Sequence, residues 1–308
     1  MEGVCSTPKN PNRELNLLAC GVMRSSIIAP QPEAGAVGKY VSRNDMVTAQ
    51  AIRRVVLTQA KTANVGHIGS ALSVAEIVAA LFGGVLRLTP VGDPDRDRFV
   101  LSKGHAAMAL YAALFLAGSL TEAQLASYCA DGSLLGVHPE HTLPEVDFST
   151  GSLGHGLPFG AGAALAARLQ GSPRRVFVLL SDGECNEGST WEAAMFAAHH
   201  RLSALVAIID VNGQQAFGST GEVLNLEPLA QRWQAFGWDT TEIDGHDELA
   251  LKHTIENLDT AAAAPHVIVA RTVFGKGVSF MERHLAWHYL PMSDEQYRQA
   301  LSEIGETW

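Results

Sequence analysis

Arg175-Val-Phe-Val-Leu-Leu-Ser181-Asp182-Gly183-Glu184 is followed, one helix-length later, by Leu205-Val-Ala-Ile-Ile-Asp210-Val-Asn212-Gly213. Each run is apolar without alternation and then breaks at once into polar residues and glycine. Such runs suit strands buried on both faces, the condition of a parallel sheet covered by helices. Arg98-Phe-Val-Leu-Ser102 and His266-Val-Ile-Val-Ala270 have the same character. Around these strands, apolar spacing predicts helices over Asp45–Ala60, His105–Ala117, Pro158–Leu169, Thr190–Leu202, Pro228–Phe236 and Glu248–Leu258. Ser73-Val-Ala-Glu76 reads as a capping box that opens one more. Strand, turn and helix in repetition predict a doubly wound α/β domain, a mostly parallel sheet with helices on both faces.

That domain is expected over residues 41–308. Residues 1–40 hold four of the 13 prolines and little periodicity, and are expected to form a flexible extension. Apolar residues make up 47% of the chain and charged residues 18%, too apolar for disorder. The net charge of −10 comes with no basic stripe, so a nucleic-acid partner is not expected. No run approaches the ~18–20 apolar residues that span a bilayer, and no signal-peptide pattern opens the chain. Cys5, Cys20, Cys129 and Cys185 form no C-x-x-C pair, so neither a zinc site nor a disulfide framework is expected. Together these features predict a cytoplasmic protein with no membrane partner.

In open parallel sheets ligands sit at the carboxyl ends of the strands, where this chain places Asp182 and Asn212. A carboxylate and an amide oxygen are hard donors, suited to magnesium or calcium rather than zinc. Magnesium with so few protein ligands usually takes further oxygens from a phosphate-bearing molecule. Gly183 and Gly213 would let backbone approach that molecule closely. The alternative is a pair of polar residues that only cap their loops. Beyond Glu187-Gly188, Ser189 is expected as a helix N-cap with Glu192 reaching back, and Trp191, Met195, Ala198 and Leu202 as the buried stripe.

Here the residues match a known pattern. Asp182-Gly183, Glu187-Gly188, Glu192-Ala193 and Asp210-Val-Asn212 resemble the thiamine-diphosphate motif of transketolases, with Ser181 at a usual glycine. Six further segments resemble that family in the same order. They are Asn64-Val-Gly-His67-Ile-Gly, Ser102-Lys-Gly-His105, Gly136-Val-His138-Pro-Glu140, Thr150-Gly-Ser-Leu-Gly-His155-Gly, Asp244-Gly-His246-Asp, and Gly275-Lys-Gly with Trp287-His288. The likeness runs from about residue 45 to 292. It departs from the pattern at His155, where glutamine is usual, and at Tyr289, where glycine is common and one wall of the substrate channel is expected to change.

The resemblance implies the thiamine-diphosphate-binding fold and its diphosphate-binding domain. It implies that Asp182, Asn212 and the backbone carbonyl of Gln214 hold Mg2+, or Ca2+ or Mn2+ in its place. His105, Gly151, Ser152, Leu153, Gly154, Asp182, Gly183, Glu184 and Asn212 would bind thiamine diphosphate. His67, His105, His138 and His288 would line the channel to the reacting carbon and handle protons, and His246 would brace its turn. The glutamate needed at the pyrimidine ring belongs to a second domain, for which 308 residues leave no room. A C-terminal transketolase subunit carrying the pyrimidine-binding domain and that catalytic Glu is therefore expected in an α2β2 assembly. Glu187 would be the catalytic residue on this side of the contact, linked to the partner's glutamate in a proton relay. The implied reaction moves a two-carbon ketol unit from a ketose to an aldose or aldehyde acceptor. The alternatives are a specialised secondary-metabolite enzyme of the same type, another thiamine-diphosphate enzyme subunit, and a non-catalytic regulatory subunit.

Overall fold

The computed structural model describes residues 47–305. The extension expected over 1–40 and the first residues of the first expected helix lie outside the described residues. Five parallel strands form the central sheet: β1 (Arg98–Leu101), β2 (Val176–Ser181), β3 (Leu205–Val211), β6 (Asp239–Asp244) and β7 (His266–Arg271), in the spatial order β1-β2-β3-β7-β6. A short antiparallel hairpin, β4 (Gln214–Gln215) with β5 (Gly218–Ser219), lies between β3 and the next helix. The helices are α1 (Ala49–Ala63), α2 (Ile68–Ser73), α3 (Ala75–Ala80), α4 (Ala107–Leu116), α5 (Glu122–Ala126) and α6 (Gly156–Gln170). They continue with α7 (Gly188–His199), α8 (Thr220–Leu224), α9 (Leu229–Ala235), α10 (Glu248–Glu256) and α11 (Asp294–Ile304).

The alternation of strand side chains divides the core into two layers. Phe177, Leu179, Val206, Ile208, Ile268 and Ala270 face α1, α3, α4 and α10. Val178, Leu180, Ala207, Ile209, Val267 and Val269 face α6, α7 and α9. Every residue of β2 is buried, so both faces of the sheet are covered. Helices on both faces of a parallel sheet are what the unalternating strands predict.

Three local expectations are corrected. Ser73 and Glu76 do not form a capping box, because Ser73 ends α2 and its hydroxyl donates to Ser70 O and Asp210 Oδ2. Glu76 instead takes Arg53 at 2.7 Å, a stronger charge-assisted bond than a helix end could offer. Ser189 is not an N-cap either. Glu187 occupies that position, and the Ser189 hydroxyl donates to Gly154 O at 2.8 Å. The buried stripe of α7 is Thr190, Ala193, Ala194 and Ala197. Of the residues expected there, Leu202 just beyond the helix is buried and Trp191 and Ala198 pack partly buried against the same core, while Met195 is 51% exposed. Only small residues fit where α7 lies close against the sheet and α6, so the large ones are displaced to the flanks.

The short helices α2, α5 and α8, the β4–β5 hairpin, β6 and α11 escape the sequence pattern. The edge strand β6, Asp-Thr-Thr-Glu-Ile-Asp, has no fully buried residue and no apolar run. The last helix, α11, carries a Ser293–Gln296 capping box that could have announced it. Among the described residues no helix is long and apolar enough to cross a membrane.

Candidate active site

The carboxyl ends of β2 and β3 are neighbours, with Ser181 paired to Asp210. Asp182 follows β2 and is buried. Its Oδ1 accepts Gly183 N and its Oδ2 accepts Gly213 N, each at 2.8 Å, so the carboxylate bridges the two strand ends. Burial, with the nearby charge of Asp210, pushes its carboxyl up to about 7. A cation beside it would reverse both effects. Gly213, at φ +75°, turns the chain so that its N–H can reach Asp182.

Asn212 is oriented from below. Its Nδ2 donates to Asp210 Oδ2 at 2.8 Å and its Oδ1 accepts Gln214 N at 2.9 Å. Asp210 is wholly buried and also takes Ser73 Oγ at 2.7 Å, Thr272 Oγ1, and an ion pair with the buried Lys103. The amide is thereby held with its oxygen, the harder donor, turned away from the pair. Lys103, Asp210, Ser73 and Thr272 are site residues that sequence reasoning does not single out. The only sequence signal for them is the Lys inside Ser102-Lys-Gly-His105 and the Asp two positions before Asn212.

Four histidines converge from four separate segments. The ring of His67 lies 5.8 Å from His105, 6.3 Å from His138 and 5.3 Å from His288, and His105 lies 5.5 Å from His288. His67 sits in the left-handed region at φ 61° before α2, and its N–H donates to His288 O, which ties two of the segments together. Burial lowers the pKa of all four, with Lys103 adding to the effect at His105 and His67 adding to it at His288. His288 falls to about 4. At neutral pH the cluster is a set of uncharged imidazoles, each with one donor and one acceptor nitrogen.

His67, His105, His138, His288, Glu187, Gly151, Leu153, Gly183, Asn212 and Gln214 line one cleft of about 380 Å³. Four other expected residues stand outside it. Ser152 is exposed on its loop, and Gly154 is buried behind the loop. Asp182 turns toward a small neighbouring hollow with Thr220 and Leu224. Glu184 lies beneath the cleft, where Oε1 accepts Ser102 Oγ and, at 2.8 Å, Gly154 N, so its side chain knits two cleft loops and is not part of the cleft lining. His155 is exposed and packs edge-on to Phe159 at 6.4 Å, away from the cleft. His246 braces its turn, joining Glu76 at 3.0 Å and accepting Val273 N.

The profile described as "Transketolase, thiamine diphosphate binding domain" matches residues 44–307. The chain belongs to the transketolase family. It is 40% identical to an apulose-4-phosphate transketolase subunit of Phocaeicola vulgatus, over 79% of this chain and 88% of that one. To the 6-deoxy-6-sulfo-D-fructose transketolase subunit of a Clostridium species it is 39% identical, over 83% of this chain and 94% of the relative. Among solved structures, a Pichia stipitis transketolase complex with sedoheptulose 7-phosphate superposes with TM-score 0.79 at 30% identity, over 85% of this chain. The chain spans only 41% of the length of that structure. It thus covers most of the length of relatives named as transketolase subunits and carries the thiamine-diphosphate-binding domain.

The residues present suit that cofactor. His67 Nδ1 and His288 Nδ1 are buried without a hydrogen-bond partner, which is costly unless a ligand supplies one. Gly104 sits so close to the Thr150–Gly151 backbone that a Cβ would stand 2.9 Å from Gly151 N, which keeps these two loops in contact at the floor. Among the described residues no cluster of three His, Cys, Asp or Glu could hold a metal alone. The hard oxygens at Asp182 and Asn212 thus call for a ligand that brings its own, as a diphosphate does.

Proposed function

We propose that this chain is the cofactor-binding member of a two-subunit transketolase, which transfers a two-carbon ketol unit from a ketose donor to an aldose or aldehyde acceptor. The observation that carries this reading is the cluster of four uncharged histidines beside the Asp182–Asn212 strand ends. The relatives' names, for apulose 4-phosphate and for 6-deoxy-6-sulfo-D-fructose, support a sugar that bears an anionic group.

Asp182, Asn212 and the backbone carbonyl of Gln214 would hold Mg2+, or Ca2+ or Mn2+, against the diphosphate. Gly183, Gly151 and Leu153 would receive it through backbone, and Ser152, Gly154 and Glu184 would shape the loops that do so. When bound, thiamine diphosphate supplies the carbon nucleophile for breaking and remaking the sugar's carbon–carbon bond. His67, His105, His138 and His288 would donate hydrogen bonds to sugar oxygens and move protons as hydroxyl and carbonyl interconvert. Their neutrality matters, because an uncharged imidazole can donate a hydrogen bond from one ring nitrogen and accept a hydrogen bond or a proton at the other. Glu187 is exposed at the rim and its carboxylate accepts no hydrogen bond among the described residues, which suits a place at the contact with a C-terminal subunit. That partner would supply the pyrimidine-binding domain and its catalytic Glu in an α2β2 assembly. The free thiols of Cys129 and Cys185 accord with a cytoplasmic enzyme.

Native mass spectrometry of the protein purified gently with thiamine diphosphate and magnesium tests this reading. A second chain in equal number, with cofactor and metal masses retained, is the expected result. A cofactor-free assembly of this chain alone, at saturating cofactor, would overturn it in favour of a non-catalytic role.

A further inference from the structure

Tyr289 ties together two walls of the histidine cleft. Its backbone is seated on the loop before α2, where a Cβ on Gly66 would stand 2.4 Å from Tyr289 O. Its ring lies 5.0 Å from that of His288. From this fixed base the phenol reaches outward, and its hydroxyl donates to Ala216 O at 2.5 Å. Ala216 and Phe217 are the two-residue tip of the β4–β5 hairpin, and both line the cleft. On the hairpin's other side, Gln215 Nε2 donates to Asn186 Oδ1 at 3.0 Å. The hairpin is thus pinned at two points, to Asn186 after β2 and to Tyr289 beside His288. Phe217, at 87% exposure, extends the tip into solvent.

We propose that Tyr289 is a specificity-determining residue, a strap that holds the Gln214–Ser219 hairpin against the His288 wall and so limits the length of sugar chain the cleft accepts. This rests on the transferase reading above. A tyrosine hydroxyl bonded to a backbone carbonyl fixes the position of a loop without recognising any ligand group, so its effect is on size rather than on charge. Removing the hydroxyl frees one of the hairpin's two pins. Removing the whole ring also takes away the support that it gives the His288 ring.

The test uses the enzyme assembled with its partner chain, as wild type, Tyr289→Phe and Tyr289→Gly, with glycolaldehyde, glyceraldehyde and ribose as acceptors. Tyr289→Gly should raise kcat/KM for ribose relative to glycolaldehyde by about tenfold, the usual worth of a small change in pocket size, mainly through KM. Tyr289→Phe should shift the ratio less. Hydrogen exchange across residues 213–220 should quicken about fivefold in Tyr289→Phe, as expected for one lost hydrogen bond. Unchanged acceptor ratios in both variants, with wild-type transfer intact, would overturn the strap and leave the proposed function standing. Slow exchange retained in Tyr289→Phe would also overturn it. If the wild type transfers no ketol unit to any acceptor, the functional reading fails and the strap's role falls with it.

Discussion

Lys103 and Asp210 meet as an ion pair with no exposed surface on either side chain, directly beneath Asn212. The pair is tolerated because Asp210 also receives Ser73, Asn212 and Thr272. Removing one partner would leave an uncompensated buried charge. Lys103→Met is expected to destabilise the chain by about 3–5 kcal/mol, measured by urea unfolding. A loss below ~1 kcal/mol would mean that the pair is not buried in solution.

The histidine cluster gives a pH signature. His288 has its pKa depressed from the ordinary 6.5 to about 4, first by burial and then by His67. The folded state therefore prefers the neutral ring. The associated stability is fully present above about pH 6.5 and is lost as pH falls toward about 4. Because the ring keeps some contact with solvent, the loss is smaller than the shift alone implies. The His288 ring resonances of the cofactor-free protein should stay unchanged from pH 8 to about 5 and move only near 4. A midpoint near the ordinary value would contradict the packing of the four rings.

Most of the sheet is legible in sequence because its inner strands are buried on both faces and therefore lack alternation. β6 is hidden for the opposite reason, since an edge strand can be polar. At the site, His67, His105, His138 and His288 are legible because each sits in a segment that resembles a family motif, the first three with glycine or proline beside the histidine. Lys103 and Asp210 are not, because charged residues are almost always read as surface, and only the third dimension shows that these two neutralise each other. Ser73 and Ser189 mislead for a related cause. A serine before a helix caps it only when no tertiary partner competes, and here Asp210 and Gly154 O do.

Glu184 should behave as a knot between loops rather than as a ligand. Its Oε1 takes both Ser102 Oγ and Gly154 N, while Oε2 is buried without a partner. Glu184→Ala leaves those two donors unpaired and should cost about 2–3 kcal/mol in a thermal or urea unfolding experiment. Glu184→Gln keeps an oxygen for both donors and should stay within about 1 kcal/mol of wild type. Equal losses in the two variants would mean that the contact to Ser102 and Gly154 is not what the side chain provides.

The sharpest separation of folding from cofactor binding is at Asp182. Its carboxylate holds Gly183 N and Gly213 N, which an alanine could not replace, yet it is itself pushed up to about 7 by burial and by Asp210. The two lost hydrogen bonds and the relief of that repulsion oppose each other, so the folded chain should survive Asp182→Ala with a change of at most about 2 kcal/mol. Cofactor binding has no such compensation. Without the carboxylate, only neutral oxygens from Asn212 and Gln214 remain for a divalent cation, and those suit magnesium poorly. Thiamine diphosphate affinity, measured by calorimetry with and without magnesium in the assembled protein, should fall by at least about a hundredfold and lose its metal dependence. Retained metal-dependent binding in a folded Asp182→Ala protein would show that the cation is held elsewhere, and the assignment of Asp182, Asn212 and Gln214 would be abandoned.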